Sequence, residues 1–343
     1  MPGALDQPRI ERAGPAIFLA FDPAARDLYY GAKALAGLRA LGDLRLQQQT
    51  GALDSAALAI AAHGCQAIVS DRKTPGSAEL FAASPALAVF LRCAMDIRNV
   101  DVDAASTHGV LVTHASAGFT AAVAEWVFGV LVDLARGISD SVIAYRAGIA
   151  PRPAMGRELR GSTLGVIGYG QIGRRVCELG LALGMRVVVT DPHVKVADAH
   201  IEQTTLDALL AASDHVVCLA PALPQTENLM DDTRFARMKR GAVFVNAARG
   251  NLVDEAALLR ALDSGALAGC ALDVGRAPDQ MPSPALAHHP CVIATPHIGG
   301  LTAPAVEHQA LETVAQLAEL LRSGMPTGAV NADRASRMHL LRA

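Results

Sequence analysis

Three short stretches carry the residues whose types and spacing could do chemistry: VIGYGQIG (166–173), NAARGN (246–251) and ATPHIGG (294–300). In the first, an apolar run stops at Gly168 and continues through Gly170 and Gly173, with Gln171 and Ile172 between them in the same turn. Gly168 permits a tight turn, Gly170 lets the backbone approach a pyrophosphate, and Gly173 lets the next helix sit close to the strand. That helix then aims its first amides at the phosphates. A second apolar run ends in Asp191, eighteen residues beyond Gly173, where a carboxylate can accept bonds from ribose hydroxyls. The same carboxylate would repel a 2′-phosphate, so the pattern favours NAD over NADP. Of the neighbouring arginines, Arg174 and Arg175, one could reach the pyrophosphate while the other is a solvated helix residue.

The second stretch ends a strand at Asn246–Ala248, placing Ala247 on the cofactor side and Arg249 at the carboxyl edge. Ligands of open α/β sheets bind at that edge, and a guanidinium there can grip a carboxylate through a two-pronged pair. The duller alternatives are a helix cap or a bridge between domains. In the third stretch His297 stands just past a strand, after Pro296 and before two glycines. An imidazole is suited to taking a proton at neutral pH; its alternative is a bond to a loop carbonyl.

These residues need elements to hold them. Continuous apolar runs such as AIFLAFDP, CQAIVSD, LAVFLRC and GVLVTHA, then TLGVIG, MRVVVTD, HVVCLAP, AVFVNAA, LAGCALDV and CVIATPH, alternate with segments of helical spacing. That alternation predicts an α/β fold of two parallel-sheet domains, Rossmann-like and flavodoxin-like, with a cleft between them. A long helix containing Trp126 opens the second domain, and the helix after Gly299-Gly300 and Pro304 has no strand to follow it there. It is expected to return to the first domain. Residues 1–116 plus 304–335 would form a discontinuous outer domain that binds substrate, 117–303 the nucleotide domain, and 336–343 a tail.

The 343 residues suit two domains. With 30 basic and 33 acidic residues, and no basic run of patch length, no nucleic-acid partner is expected. The longest apolar region, FTAAVAEWVFGVLVDLA, is interrupted by Glu125 and Asp133 and reads as a buried helix, so no membrane partner is expected either. The first fifteen residues lack the apolar core of a secretory signal and read as a loose tail. Six scattered cysteines without a CxxC pair read as reduced core residues of a cytoplasmic protein with no metal site.

Taken together, the motifs resemble those of the D-2-hydroxyacid dehydrogenases, which include phosphoglycerate dehydrogenase and hydroxypyruvate reductase. The resemblance runs from about residue 87 to about residue 331, on GRELRGSTLGVIGYGQIG, PALPQTENLMD, NAARGNLVDEAALLRAL, ALDV and TPHIGG in that order. It implies an oxidoreductase that transfers a hydride between NAD and C2 of a small 2-hydroxy or 2-keto acid. Arg249 would bind the substrate carboxylate and polarise the C2 oxygen, and His297 would remove or return the hydroxyl proton. Asp273 would meet the nicotinamide carboxamide, Pro221 and Thr226 would lie along the cofactor, and backbone amides around Ala94, Met95, Asp96 and Ile97 would hold the substrate. The resemblance also implies a homodimer joined through the nucleotide domains, with Trp126 in a helix suited to that contact.

Two positions depart from the family. Its glutamate, five residues after the ALDV aspartate, bonds the histidine and stabilises the imidazolium; here that position is Pro278. Asp279 could swing in as a displaced acid, Gln280 could hold the ring by a neutral bond, or His297 could work alone. Asp279 is the substitute we favour as a catalytic residue, against a solvated loop carboxylate. The substrate loop reads RCAMDIRNVD, with Met95 and Asp96 where relatives have small residues. Asp96 could repel a second anionic group on the substrate, supply the missing carboxylate, or simply pair with Arg98. A nucleotide-sensing binding protein, like the C-terminal-binding corepressors, and an enzyme acting on a formate-like substrate are the competing readings of the whole chain.

Overall fold

Runs of Val, Ile, Leu and Ala become strands buried on both faces, because each is followed by a helix that crosses back over the sheet. The computed structural model describes residues 14–342. It separates into two units that divide between Gly118 and Phe119 and again between Thr302 and Ala303.

The discontinuous unit holds strands β1 (Ala16–Leu19), β2 (Asp43–Leu46), β3 (Ala67–Ser70), β4 (Val89–Arg92) and β5 (Leu111–His114). They form a parallel sheet in the order β2-β1-β3-β4-β5, the flavodoxin-like arrangement. The Ala303–Leu321 helix belongs here. Tyr30 Oη lies 2.8 Å from Thr313 Oγ1, and Gln316 joins Thr113 Oγ1 (2.7 Å) and the His114 carbonyl (2.8 Å). The segment expected to be a tail is instead packed as far as Arg342. Ser336–Arg342 is a 3-10 helix, Leu341 is buried in the core, and Arg337 donates to the Ser84 carbonyl at 2.9 Å. The loose N-terminal tail, apart from residues 14 and 15, lies outside the described residues.

The second unit holds β6 (Thr163–Ile167), β7 (Arg186–Thr190), β8 (Ile201–Gln203), β9 (His215–Cys218), β10 (Ala242–Asn246), β11 (Leu267–Leu272) and β12 (Val292–Ala294). All pair in parallel in the order β12-β11-β10-β9-β6-β7-β8. The winding reverses between β6 and β9, which is where such sheets open a crevice at their carboxyl ends. The Thr120–Arg136 and Gln171–Ala182 helices pack on one face through Val127, Leu131, Val176 and Cys177. Trp126 is half-buried against this unit's own core, its ring near Gly299. Five cysteines are buried as expected, but Cys291 is exposed, since it follows the turn before β12. No helix among the described residues is long and apolar enough to cross a membrane.

Candidate functional site

The three glycines of the fingerprint divide the work by geometry. Gly168 has φ +100°, a left-handed conformation, and a Cβ there would sit 2.9 Å from the Leu219 carbonyl. A Cβ on Gly173 would overlap the Gly168 carbonyl oxygen, so this glycine lets the helix start against the strand. Beside Gly170 a Cβ meets nothing within 4 Å. The protein leaves that space open where a pyrophosphate has to approach. Gln171 opens the helix and Ile172 packs partly into the core beneath it.

Asp191 ends β7 with both oxygens engaged. Oδ2 accepts the Tyr169 amide at 2.8 Å, and Oδ1 accepts those of His193 (2.9 Å) and Val194 (3.0 Å). Burial alone would raise its pKa, but the three amides outweigh burial and hold the carboxyl below its ordinary value. An ionised Asp191 fits ribose hydroxyls and opposes a 2′-phosphate. Arg174 lies over the Tyr169 ring, 5.0 Å from its centroid, whereas Arg175 pairs with Glu178 at 2.9 Å on the surface. Past β9, the Thr226 hydroxyl donates to the Pro221 carbonyl at 2.7 Å and accepts the Leu223 amide at 2.8 Å. These two residues are thus joined in one turn at the carboxyl edge.

At the end of β10 the buried Asn246 shapes the arginine turn. Its Nδ2 donates to the Arg249 carbonyl (3.0 Å) and its Oδ1 accepts the Ala248 amide (3.1 Å). Ala247 is half-buried on the same strand end, and Arg249 Nη1 donates to the Ala248 carbonyl at 2.7 Å. A Cβ on Gly250 would overlap Gly275, so this turn presses against the loop that follows β11.

Asp273 is only 4% exposed, and its carboxylate grips the histidine loop. Oδ1 accepts Thr295 Oγ1 (2.6 Å) and the Ile298 amide (2.8 Å), and Oδ2 accepts the Gly299 amide (2.7 Å). His297 lies inside this clamp with φ +57°, a left-handed conformation that a side chain of this shape rarely adopts. Such conformations persist where the surroundings over-determine them, and they concentrate at functional sites. Sequence reasoning missed the clamp and assigned Asp273 only to the carboxamide. Thr295, adjoining Pro296, was its one local signal.

The Gly275–Met281 loop contrasts with that. It closes on itself through the Gly275 amide to the Gln280 carbonyl (2.8 Å) and the Ala277 amide to the Met281 carbonyl (3.1 Å). Pro278–Gln280 forms a 3-10 turn that carries Asp279. Gln280 has φ +62°, and its Oε1 is buried with no hydrogen-bond partner. That oxygen therefore does not hold the His297 ring.

In the outer unit, Ala94, Met95, Asp96 and Ile97 form the loop after β4. Met95 is exposed, and the Asp96 carboxylate takes the Arg98 guanidinium at 2.6–3.1 Å. The pair offsets the charge of Asp96, so its expected repulsion of an anionic substrate group is weakened. The amides of Ala94, Met95 and Ile97 meet no protein acceptor among the described residues. Sequence reasoning also missed Arg92, which is fully buried at the end of β4. Its Nη2 donates to the Thr74 carbonyl (2.9 Å) and Asn99 Oδ1 (2.7 Å), bracing both sides of the loop. Burial lowers its pKa to about 10, so it stays a cation at neutral pH.

This geometry is that of a known family. Residues 128–299 match the model of the D-isomer specific 2-hydroxyacid dehydrogenase NAD binding domain, and the chain belongs to that family. It is 37% identical over 274 residues to the D-3-phosphoglycerate dehydrogenase of Rattus norvegicus, covering 78% of this chain and 51% of the relative. The chain spans about half the length of the curated relatives it matches. Among solved structures, a putative D-isomer specific 2-hydroxyacid dehydrogenase from Polaromonas superposes with a TM-score of 0.85 at 25% identity, over 92% of this chain and 99% of that one. The TT0316 protein of Thermus thermophilus does so with a TM-score of 0.82 at 31% identity, over the same shares. The cofactor is NAD, and Gly168, Gly170, Gly173 and Asp191 fit it.

Proposed function

We propose that the protein is an NAD-dependent oxidoreductase of a small D-2-hydroxy or 2-keto acid. The observation that carries the reading is His297, held in a left-handed conformation by the Asp273 clamp at the same sheet edge as the nucleotide fingerprint. Bound NAD supplies the hydride acceptor in oxidation and NADH the donor in reduction. Arg249 pairs with the substrate carboxylate and polarises the C2 oxygen. Amides of the Ala94–Ile97 loop hold the carboxylate from the outer domain. His297 takes the C2 hydroxyl proton in oxidation and returns it in reduction, and Asp279 is the acid that steadies its imidazolium in place of the residue lost at Pro278. Asp273 positions His297 and has one acceptor site, on Oδ2, left for the carboxamide, while Pro221, Thr226 and Ala247 line the cofactor.

The chain is proposed to act as a homodimer through its nucleotide domain. What supports this is the Ile138–Arg146 helix and its continuation, where Ile138, Ile143, Tyr145 and Ile149 are exposed. Six free thiols suit a cytoplasmic location.

NADH consumption against a panel of short 2-keto acids tests the enzyme reading. Turnover with at least one member is expected. Tight NADH binding with no turnover across the panel would sink it and leave an NAD(H)-sensing binding protein, which Pro278 favours.

A further inference from the structure

The amino ends of β9, β10 and β11 frame a cavity on the sheet edge opposite to the fingerprint. Its volume is about 220 Å³, and Arg136, Arg157 and His215 line it together with apolar Leu134, Val243 and Met155. Along β10, from Val243 to Ala247, the two edges stand about 13 Å apart at the usual rise per residue.

The polar side of this cavity has no counter-charge. His215 lines the cavity at its buried end, only 3% exposed, and its Nδ1 is buried without a hydrogen-bond partner, an arrangement that normally costs stability. Arg157 is stationed there by its own contacts: its amide donates to the Ala135 carbonyl (2.9 Å) and Nη1 to the Gly241 carbonyl (2.8 Å). Arg136 lies against Gly156, where a Cβ would come within 2.9 Å of its Cδ and Nε. Other arginines of this domain, such as Arg175, Arg186 and Arg260, pair with carboxylates. Arg136 and Arg157 meet none among the described residues. Asp214, the acid next to His215 in sequence, is occupied by Lys239 Nζ at 2.9 Å and the Thr163 amide at 2.8 Å.

We infer that this cavity is a second ligand site, for a small organic anion with a carboxylate or phosphate head on a short apolar stem. The head pairs with the two guanidinium groups and accepts a hydrogen bond from His215, and the stem lies against Leu134 and Val243. The volume is below the ~300–1,000 Å³ usual for ligand pockets, too small for a dinucleotide.

Burial holds the His215 imidazole below its ordinary pKa; Asp214 opposes this, while Arg157 and Lys239 add to it. Arg136 is the remaining charge lining the cavity. A bound anion stabilises the imidazolium, so binding takes up a proton and tightens as pH falls.

The experiment is a calorimetric titration of the full chain saturated with NADH, which keeps anions off the pyrophosphate site, in chloride buffer of matched ionic strength. Butyrate and glycerol 3-phosphate distinguish a carboxylate from a phosphate ligand. Sulfate, whose charge is constant near neutrality, reads the pH dependence. At least one organic anion is expected to bind wild type, with Arg136→Met and Arg157→Met each weakening it about 10-fold or more. His215→Asn should flatten the pH dependence for sulfate, and NADH affinity should be the same in every variant. Arg136 is exposed, so its variant carries the test should loss of the Gly241 tether unfold Arg157→Met. Absence of binding to wild type by both organic anions, equal affinity in wild type and the arginine variants, or an NADH affinity that falls with any substitution overturns the second site.

Discussion

Two loops at the carboxyl edge of the nucleotide-domain sheet, separated in sequence by a short helix and β12, are built on different plans. The histidine loop is held by a buried side chain: three donors converge on Asp273, and the left-handed His297 sits between the residues that supply them. The Gly275–Met281 loop closes on itself through main-chain bonds and is tied at its start by Arg276, whose amide donates to Glu255 (3.0 Å) and whose guanidinium donates to the Val253 (3.1 Å) and Asn251 (3.0 Å) carbonyls. Its left-handed Gln280 leaves a buried oxygen unsatisfied. The fold therefore over-determines the conformation of His297, and at Pro278–Gln280 it fixes a backbone turn.

The largest expected effects come from the groups that the first loop and the arginine turn present. His297→Ala should lower kcat for a 2-keto acid by about 10²–10⁴-fold with NADH binding kept, as loss of a general acid–base group does. Arg249→Ala should instead raise KM by about 10-fold or more, through the lost charge-assisted pair. Steady-state kinetics with separate NADH titrations check both. A His297→Ala variant with unchanged kcat would remove this residue from the chemistry.

Asp273→Asn attacks the clamp itself. The amide group cannot accept on both sides, so one of the Ile298 and Gly299 amides faces a donor. The expected cost is about 1–3 kcal/mol of stability, read as a Tm lower by several degrees, together with a fall in kcat. Unchanged Tm and kcat would show that the left-handed histidine needs no clamp.

How far these features could be read in advance follows from where their causes lie. Ten of the twelve strands, including the edge strands β5 and β12, announced themselves as continuous apolar runs, because a strand covered by helices has no polar side. The opposite edge strands β2 (DLRL) and β8 (IEQ) did not, since their exposed Asp43, Arg45, Glu202 and Gln203 break the run. Arg249, His297 and Asp191 were legible as charged residues at strand ends. The Asp273 clamp was not, because its donors come from another strand's loop 22–26 residues on and only folding joins them. Asn246 and Arg92 are polar ends of apolar strands, VFVN and VFLR. That was the available signal, and it marks buried residues that brace a loop.

Asp279→Asn tests the second loop as the source of the acid. A carboxylate beside the ring stabilises imidazolium and raises its pKa, by about 1–3 units for a close pair. Removing the charge should move the His297-controlled limb of the kcat/KM profile to lower pH. Oxidation, which needs the neutral ring, then holds its rate further into acid; reduction, which needs the protonated ring, loses rate earlier as pH rises. The rate of reduction at neutral pH should fall about 10-fold. A profile that overlays wild type in both directions would rule out Asp279 as the substitute.

The smallest effect should come from Gln280→Gly, and it has the opposite sign. The two main-chain bonds through residue 280, its carbonyl to the Gly275 amide and its amide to the Ala277 carbonyl, survive the change. The left-handed conformation costs a side chain about 1 kcal/mol that glycine avoids, and the buried unpaired Oε1 disappears with the side chain. Glycine also has more freedom to lose on folding, about 0.5–1 kcal/mol, which cancels part of that gain. The net outcome is a Tm equal to wild type or higher by about 1–3 °C, with kcat and KM unchanged. Measured beside Asp273→Asn, this variant compares the two left-handed residues directly. If Gln280→Gly instead loses activity at full stability, the strained glutamine serves the site, and the second loop is shaped for the chemistry no less than the first.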